Sequence, residues 1–147
     1  MTDLFKIDTC KNLLVTKLFE PDENELAIEV CLGKVSEVDE DSFISGVNLG
    51  PVNRVNFDND NDTYIIHFDT YISYFVLNES YDMGTAGDFS GDRIREYKSS
   101  AFIDFCKKET IGFQINNDKD IRHYAIVTAR HIINVLTTSK IQLKQIR

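Results

Sequence analysis

Thr63-Tyr-Ile-Ile-His-Phe-Asp-Thr-Tyr-Ile-Ser-Tyr-Phe-Val-Leu77 is the stretch on which the fold turns. Alternate residues Tyr64, Ile66, Phe68, Thr70, Ile72, Tyr74 and Val76 are nearly all apolar. The intervening set, Ile65, His67, Asp69, Tyr71, Ser73, Phe75 and Leu77, is polar at its centre. Side chains of an extended chain point to opposite faces in turn, so this spacing predicts a strand with one face on a core and the other partly wet. Fifteen residues exceed the usual strand length of roughly 3–10, which predicts a bend or bulge near Asp69–Thr70.

On its N-terminal side lies Asp58-Asn-Asp-Asn-Asp62, a run of turn-favouring residues, preceded by Val52–Phe57. The pair reads as a hairpin, Val52–Phe57 against Thr63–Leu77. Further back, Asn12–Glu20 and Glu25–Gly33 flank Pro21-Asp-Glu-Asn24 and predict another hairpin. In its second strand Leu26, Ile28, Val30 and Leu32 alternate with Glu25, Ala27, Glu29 and Cys31. Glu37-Val-Asp-Glu-Asp41 reads as a solvated acidic loop, and Ser45–Gly50, with two glycines before Pro51, as a turn.

On the C-terminal side, residues 79–92 hold three glycines and four acids and read as a mobile loop, followed by a short strand at Arg93–Lys98. Ser99 or Ser100 is placed to cap a helix over Ala101–Glu109. Phe102, Phe105 and Cys106 fall on one stripe there, Lys107 and Lys108 complement the C-terminal dipole, and Gly112 closes the helix. Ile121–Thr138 carries a helical stripe of Ala125, Ile126, Ala129, Ile132, Ile133 and Leu136. It is also dense in β-branched residues, which favours two strands turning near Ala129–Arg130. The expected fold is α+β and mainly β: an antiparallel sheet of six or seven strands, curled or partly closed, with the 101–109 helix packed on it. Short connections and the lack of βαβ spacing argue against a parallel sheet.

A chain of 147 residues fits a single domain, 1–147, and 42% apolar with 27% charged residues is a globular balance. It is large enough to hold a core without metal or disulfide. No apolar run reaches the roughly 18–20 residues of a membrane helix, and the first residues do not read as a secretory signal. Cys10, Cys31 and Cys106 are an odd, widely spaced set, which fits a reducing cytoplasm. The net charge of −8 is uneven: residues 1–92 carry 19 acids and 5 bases, residues 93–147 carry 5 acids and 11 bases. An acidic surface of this kind steers basic protein partners and repels nucleic acid.

Candidate chemistry is sparse. Asp58, Asp60 and Asp62 occupy positions 1, 3 and 5 of a calcium-type loop and Asp69 position 12. Position 6, however, is Thr63 instead of glycine and the following segment is strand-like, so a polar turn is the expected reading. His67, Asp69, Tyr71 and Ser73 share a strand face, where a His and a carboxylate can orient a ligand or shuttle a proton, although neighbours two apart stand parallel and seldom meet. His123 and His131, eight apart, can approach if their strands pair, yet no spacing typical of zinc ligands is present and no metal or other cofactor is expected. The glycine-rich 84–91 stretch lacks a cation and is flanked by acids, which disfavours phosphate and leaves a flexible binding loop or a connector. No nucleophile elbow, metalloprotease or dinucleotide fingerprint occurs.

Arg95-Glu-Tyr-Lys-Ser-Ser-Ala-Phe-Ile-Asp-Phe105 and His123-Tyr-Ala-Ile-Val-Thr-Ala-Arg-His-Ile-Ile-Asn-Val135 resemble segments of a group of small, functionally unassigned bacterial proteins. The likeness covers about a third of the chain, at its C-terminal end, and implies no site residues. In type, a small acidic domain also resembles toxin-immunity proteins. The expected function is therefore a non-catalytic protein-binding domain of the cytoplasm, immunity- or antitoxin-like. It would meet a basic protein surface through Glu37, Asp39, Glu40, Asp41, Asp58, Asp60 and Asp62. Two alternatives stay open: a small-ligand-binding barrel with His67, Asp69, Tyr71 and Phe75 at its pocket, and an enzyme using His67 and Asp69.

Overall fold

The structure is a computed structural model that describes residues 1–84 and 87–147, with the side chains of 37–40 excepted. A short helix α1 (Asp3–Asp8) leads into strands β1 (Leu13–Phe19), β2 (Leu26–Leu32), β3 (Lys34–Ile44), β4 (Val47–Asn56), β5 (Thr63–Phe68), β6 (Ser73–Asn78), β7 (Asp88–Ser90) and β8 (Ile94–Ser99). Helices α2 (Ala101–Glu109) and α3 (Gly112–Ile115) follow, then β9 (Arg122–Val127), β10 (His131–Thr137) and β11 (Gln142–Gln145).

All strand pairs are antiparallel, as expected. The single curled sheet is not what forms: among the described residues there are three sheets, none closed, ordered β1-β2-β5-β11, β6-β10-β9-β8-β7 and β3-β4. The first two pack face to face as a sandwich. Leu26, Ile28 and Val30 of β2 pair in register with Phe68, Ile66 and Tyr64 of β5. All six side chains are fully buried against Ile94, Tyr124, Ile126, Ile133 and Val135 of the five-stranded sheet. Period-two spacing made this core, since each strand turns one apolar face to the opposite sheet.

The stretch 63–77 bends where its length demanded, but the bend is a crossing. β5 lies in one sheet and β6 in the other, joined across Asp69–Ile72. The crossing is held by Tyr71 N–H donating to Asn24 O (3.1 Å) and Ile72 N–H to Leu136 O (2.7 Å). The hairpin expected between Val52–Phe57 and Thr63–Leu77 is absent. β4 pairs with β3 instead, so Glu37–Asp41, expected as a loop, lies within a strand. Positive φ at Ser45 (51°) and Gly46 (79°) makes the turn between them, with Ile44 paired to Val47. Two successive positive φ values describe a type I′ hairpin turn, whose twist matches the flanking strands.

The outer face of the five-stranded sheet is covered by α2, which begins and ends where its sequence predicts. Ser100 Oγ accepts from Ile103 N–H (3.1 Å) as the N-cap. Phe102 and Cys106 are buried and Phe105 on the same stripe is exposed. Gly112 opens α3 and does not close α2, which ends at Glu109 with Thr110 as its C-cap. The 121–138 segment is two strands, β9 and β10, with the turn at Ala129–Arg130.

Residues 1–12 carry no local pattern that shows how they are held. Ile7 is fully buried in the sandwich core. Asp8 Oδ1 accepts from three successive backbone N–H groups, Asp92 (2.9 Å), Arg93 (2.8 Å) and Ile94 (2.8 Å). The turn that aims them needs Gly91 (φ 91°), where a Cβ would lie 2.1 Å from Ile94 O. Arg93 in return donates from Nε to Cys10 O (3.0 Å) and from Nη2 to Lys11 O (3.1 Å). Asp8→Ala removes the shared acceptor of three donors, two of them partly buried. It is expected to cost about 3 kcal/mol in denaturant unfolding, with Asp8→Asn costing less because it keeps one acceptor oxygen. Equal, negligible losses in both variants would mean that water replaces the clip.

Candidate functional site

Among the described residues β3 and β4 form a ladder only with each other, as a two-stranded sheet that leaves the sandwich as an arm. Its tip is apolar and wet: Phe43, Ile44, Val47 and Leu49 are 61, 62, 60 and 57% exposed. A free-standing hairpin has no face to bury, so nothing in folding requires four large apolar residues there. Asn61 fixes the foot of the arm, donating from Nδ2 to Leu32 O (3.0 Å) and to Asn56 O (2.6 Å) while almost fully buried. Val55 and Phe57 pack over Gly33, where a Cβ would meet the Phe57 ring at 2.6 Å.

The arm also gathers the acidic segments. Glu37, Asp39 and Glu40 lie on β3, with side chains outside the described residues; Asp41, on the same strand, is exposed. Asp58, Asp60 and Asp62 stand at the foot, as the connection from β4 to β5. Asp58 Oδ1 accepts from Asp60 N–H (3.0 Å), an Asx turn, and Asp60 O accepts from Lys34 Nζ (3.1 Å). Among the described residues no three of His, Cys, Asp or Glu converge as metal ligands.

The polar face of 63–77 is divided between the sheets. His67 on β5 meets two carboxylates, Glu25 Oε2 at 3.1 Å from Nε2 and Asp69 Oδ1 at 3.4 Å from Nδ1. Asp69 Oδ2 also accepts from Gln142 Nε2 (2.6 Å). The crossing after Phe68 turns Asp69 back toward the imidazole, which two residues on a straight strand would not do. His67 lines a shallow outer groove of about 370 Å3 with Phe19, Ile65 and Gln142. Tyr71 donates its hydroxyl to Glu20, and that hydrogen bond, ahead of desolvation, raises the phenol to about 12. Phe75 sits on the other sheet, against the Phe102 ring of α2 at 4.8 Å. His67 and Phe75 therefore line no common pocket. A cleft of about 700 Å3 opens elsewhere, between α1, β8 and the segment before β11, with Arg122 paired to Glu96 in its wall.

A more ordered polar set lies under α2. Ser100 Oγ is 2.7 Å from His123 Nδ1, and His123 Nε2 is 2.9 Å from Asn134 Oδ1. All three residues are buried. The β9–β10 register puts His123 opposite Leu136 and diagonal to Asn134, two residues along on the same face, and well away from His131 at the far end of the ladder. The ring stacks on Tyr97 (4.3 Å, 15°) and meets Phe102 edge-on (5.1 Å). Burial pushes its pKa down to about 4, against a weaker upward pull from the Asn134 hydrogen bond. The imidazole is thus neutral at pH 7. Sequence reading missed this set because its members are 23 and 11 residues apart and meet only through strand register. No family model matches the chain, and no curated protein or solved structure matches it.

Proposed function

We propose that the chain is a protein-binding domain of the cytoplasm that presents the β3–β4 arm to a protein with a basic surface, in the manner of an immunity or antitoxin-like inhibitor. The observation that supports this most is the arm itself, an element none of whose described residues belongs to the buried sandwich core and which displays Phe43, Ile44, Val47 and Leu49 to solvent. Exposed apolar clusters rimmed by polar residues mark interaction sites. Asp41 beside the tip and Asp58 and Asp60 at the foot add the charge that complements a basic partner. Apolar anchors then supply affinity, while the surrounding acids speed encounter in a salt-dependent way. No helix among the described residues is long and apolar enough to cross a membrane.

Affinity capture from the native host, at low and high salt, tests the reading. The wild-type domain is expected to retain one salt-sensitive partner. The double variant Phe43→Ser/Ile44→Ser, checked to melt like wild type, is expected to lose at least ten-fold in its yield. A partner held equally well by the arm variant would move the contact surface elsewhere, and the proposed mode of binding would fall with it.

A further inference from the structure

The Ser100, His123 and Asn134 set carries chemistry that a protein-binding arm does not need. Asn134 Oδ1 accepts at His123 Nε2, so that nitrogen bears the proton and Nδ1 is bare. Ser100 must then donate its hydroxyl to Nδ1 at 2.7 Å. The serine sits at the N-terminus of α2, where the N–H groups of Ala101 and Phe102 have no partner within the helix. A cavity of about 140 Å3 adjoins the three residues, walled by Phe75, Leu77, Phe102 and Ile132. At about 30 Å3 per water-sized group it has room for roughly four or five heavy atoms.

We propose that Ser100 is a nucleophile, with His123 as its base and Asn134 as the positioning residue for that base, in a site that takes a short acyl group from an activated ester or thioester. Ser100 Oγ adds to the acyl carbon while its proton passes to His123 Nδ1, and the carbonyl π pair moves onto oxygen, for which the Ala101 and Phe102 N–H groups are the available donors. The intermediate collapses, the C–O or C–S bond to the leaving group breaks, and that group takes the proton back from Nδ1. Water then repeats the sequence on the acyl-Ser100 ester, giving the free carboxylic acid and restoring the hydroxyl. The connectivity is that of a serine–histidine–orienter set, with the imidazole presented through Nδ1 and an amide in place of the usual carboxylate.

The full chain is treated with a fluorophosphonate probe, the adduct is located by peptide mass mapping, and p-nitrophenyl acetate turnover is followed against pH. Wild type is expected to carry the adduct on Ser100. Ser100→Ala and Ser100→Asn, the second of which keeps a helix cap, are expected to carry none while remaining folded. His123→Gln should react at least ten-fold more slowly. Asn134→Asp places a charge beside Nε2–H, so the acid limb of the rate profile should move to higher pH. The other charged or titratable groups that face the cavity are Tyr97 and Arg95 from β8 and Asp82 from the loop after β6; α2 contributes only Phe102, Ala101 and Ser100 there. A folded wild type with no adduct on Ser100, or equal labelling in His123→Gln, overturns the assignment and leaves the network a helix cap joined to a neutral core histidine. A stationary acid limb in Asn134→Asp overturns the positioning role of Asn134.

Discussion

Phe68→Ala is expected to lower the thermal midpoint by roughly 10 °C. The ring is fully buried at the end of β5, paired across the ladder with Leu26 and packed 5.8 Å from the Tyr124 ring of the opposing sheet. It therefore joins both halves of the sandwich at the point where the chain crosses between them. Removing a buried Phe side chain costs about 3–5 kcal/mol, since the surroundings close only part of the cavity. For a domain near this length each kcal/mol is worth about 2–4 °C. Phe68→Leu, which keeps most of the volume, should lose about a third as much. Calorimetry or denaturant melts of both variants check the ordering. A loss under about 1 kcal/mol for the alanine would mean the two sheets do not meet through this ring.

Acid lability traced to His123 is the second large effect. Its folded pKa of about 4 lies below the roughly 6.5 of an unfolded histidine. Above pH 6.5 both states are neutral at this ring and stability does not depend on it. As pH falls from 6.5 to 4 the unfolded chain takes up a proton that the folded chain refuses. Each unit then costs about 1.4 kcal/mol, and the whole window about 3 kcal/mol. Below pH 4 both states are protonated and the loss levels off. His123→Gln carries no such group, so the difference between its stability curve and that of wild type isolates the ring from the carboxylates and from His67, which both proteins share. Parallel curves between pH 6.5 and 4 would show that the imidazole is not held neutral.

Much of the architecture was legible where the signal is local. Helix α2 announces itself through Ser100 at the cap and Phe102 and Cys106 on one stripe, all settled within a few residues of each other. The β9–β10 pair was legible because β-branched residues outweigh a helical stripe in a segment with both faces covered, one by the sandwich and one by α2. Strand β3 was not, because Glu37 to Asp41 hold four acids in five residues and lack the alternating apolar spacing by which a strand is recognised. The same blindness misplaced β4, whose partner is chosen by the type I′ turn at Ser45–Gly46 and not by the longer polar run at Asp58–Asp62. His67 and Asp69 were legible as neighbours, but the carboxylate of Glu25 came from another strand and only register supplies it. Ser100, His123 and Asn134 lie on α2, β9 and β10, so nothing in the local pattern of any one of them points to the other two.

Among the described residues the backbone ladder of β3 and β4 joins only those two strands, and this gives the molecule two cooperativities. Opening the hairpin breaks no rung of either large sheet, so amides between 34 and 56 should exchange with solvent deuterium through a local event, far faster than those of β2 or β5, which wait on global unfolding. Whatever grips the arm must slow that exchange selectively, so protection confined to this one segment would report an occupied arm before the occupant had been identified.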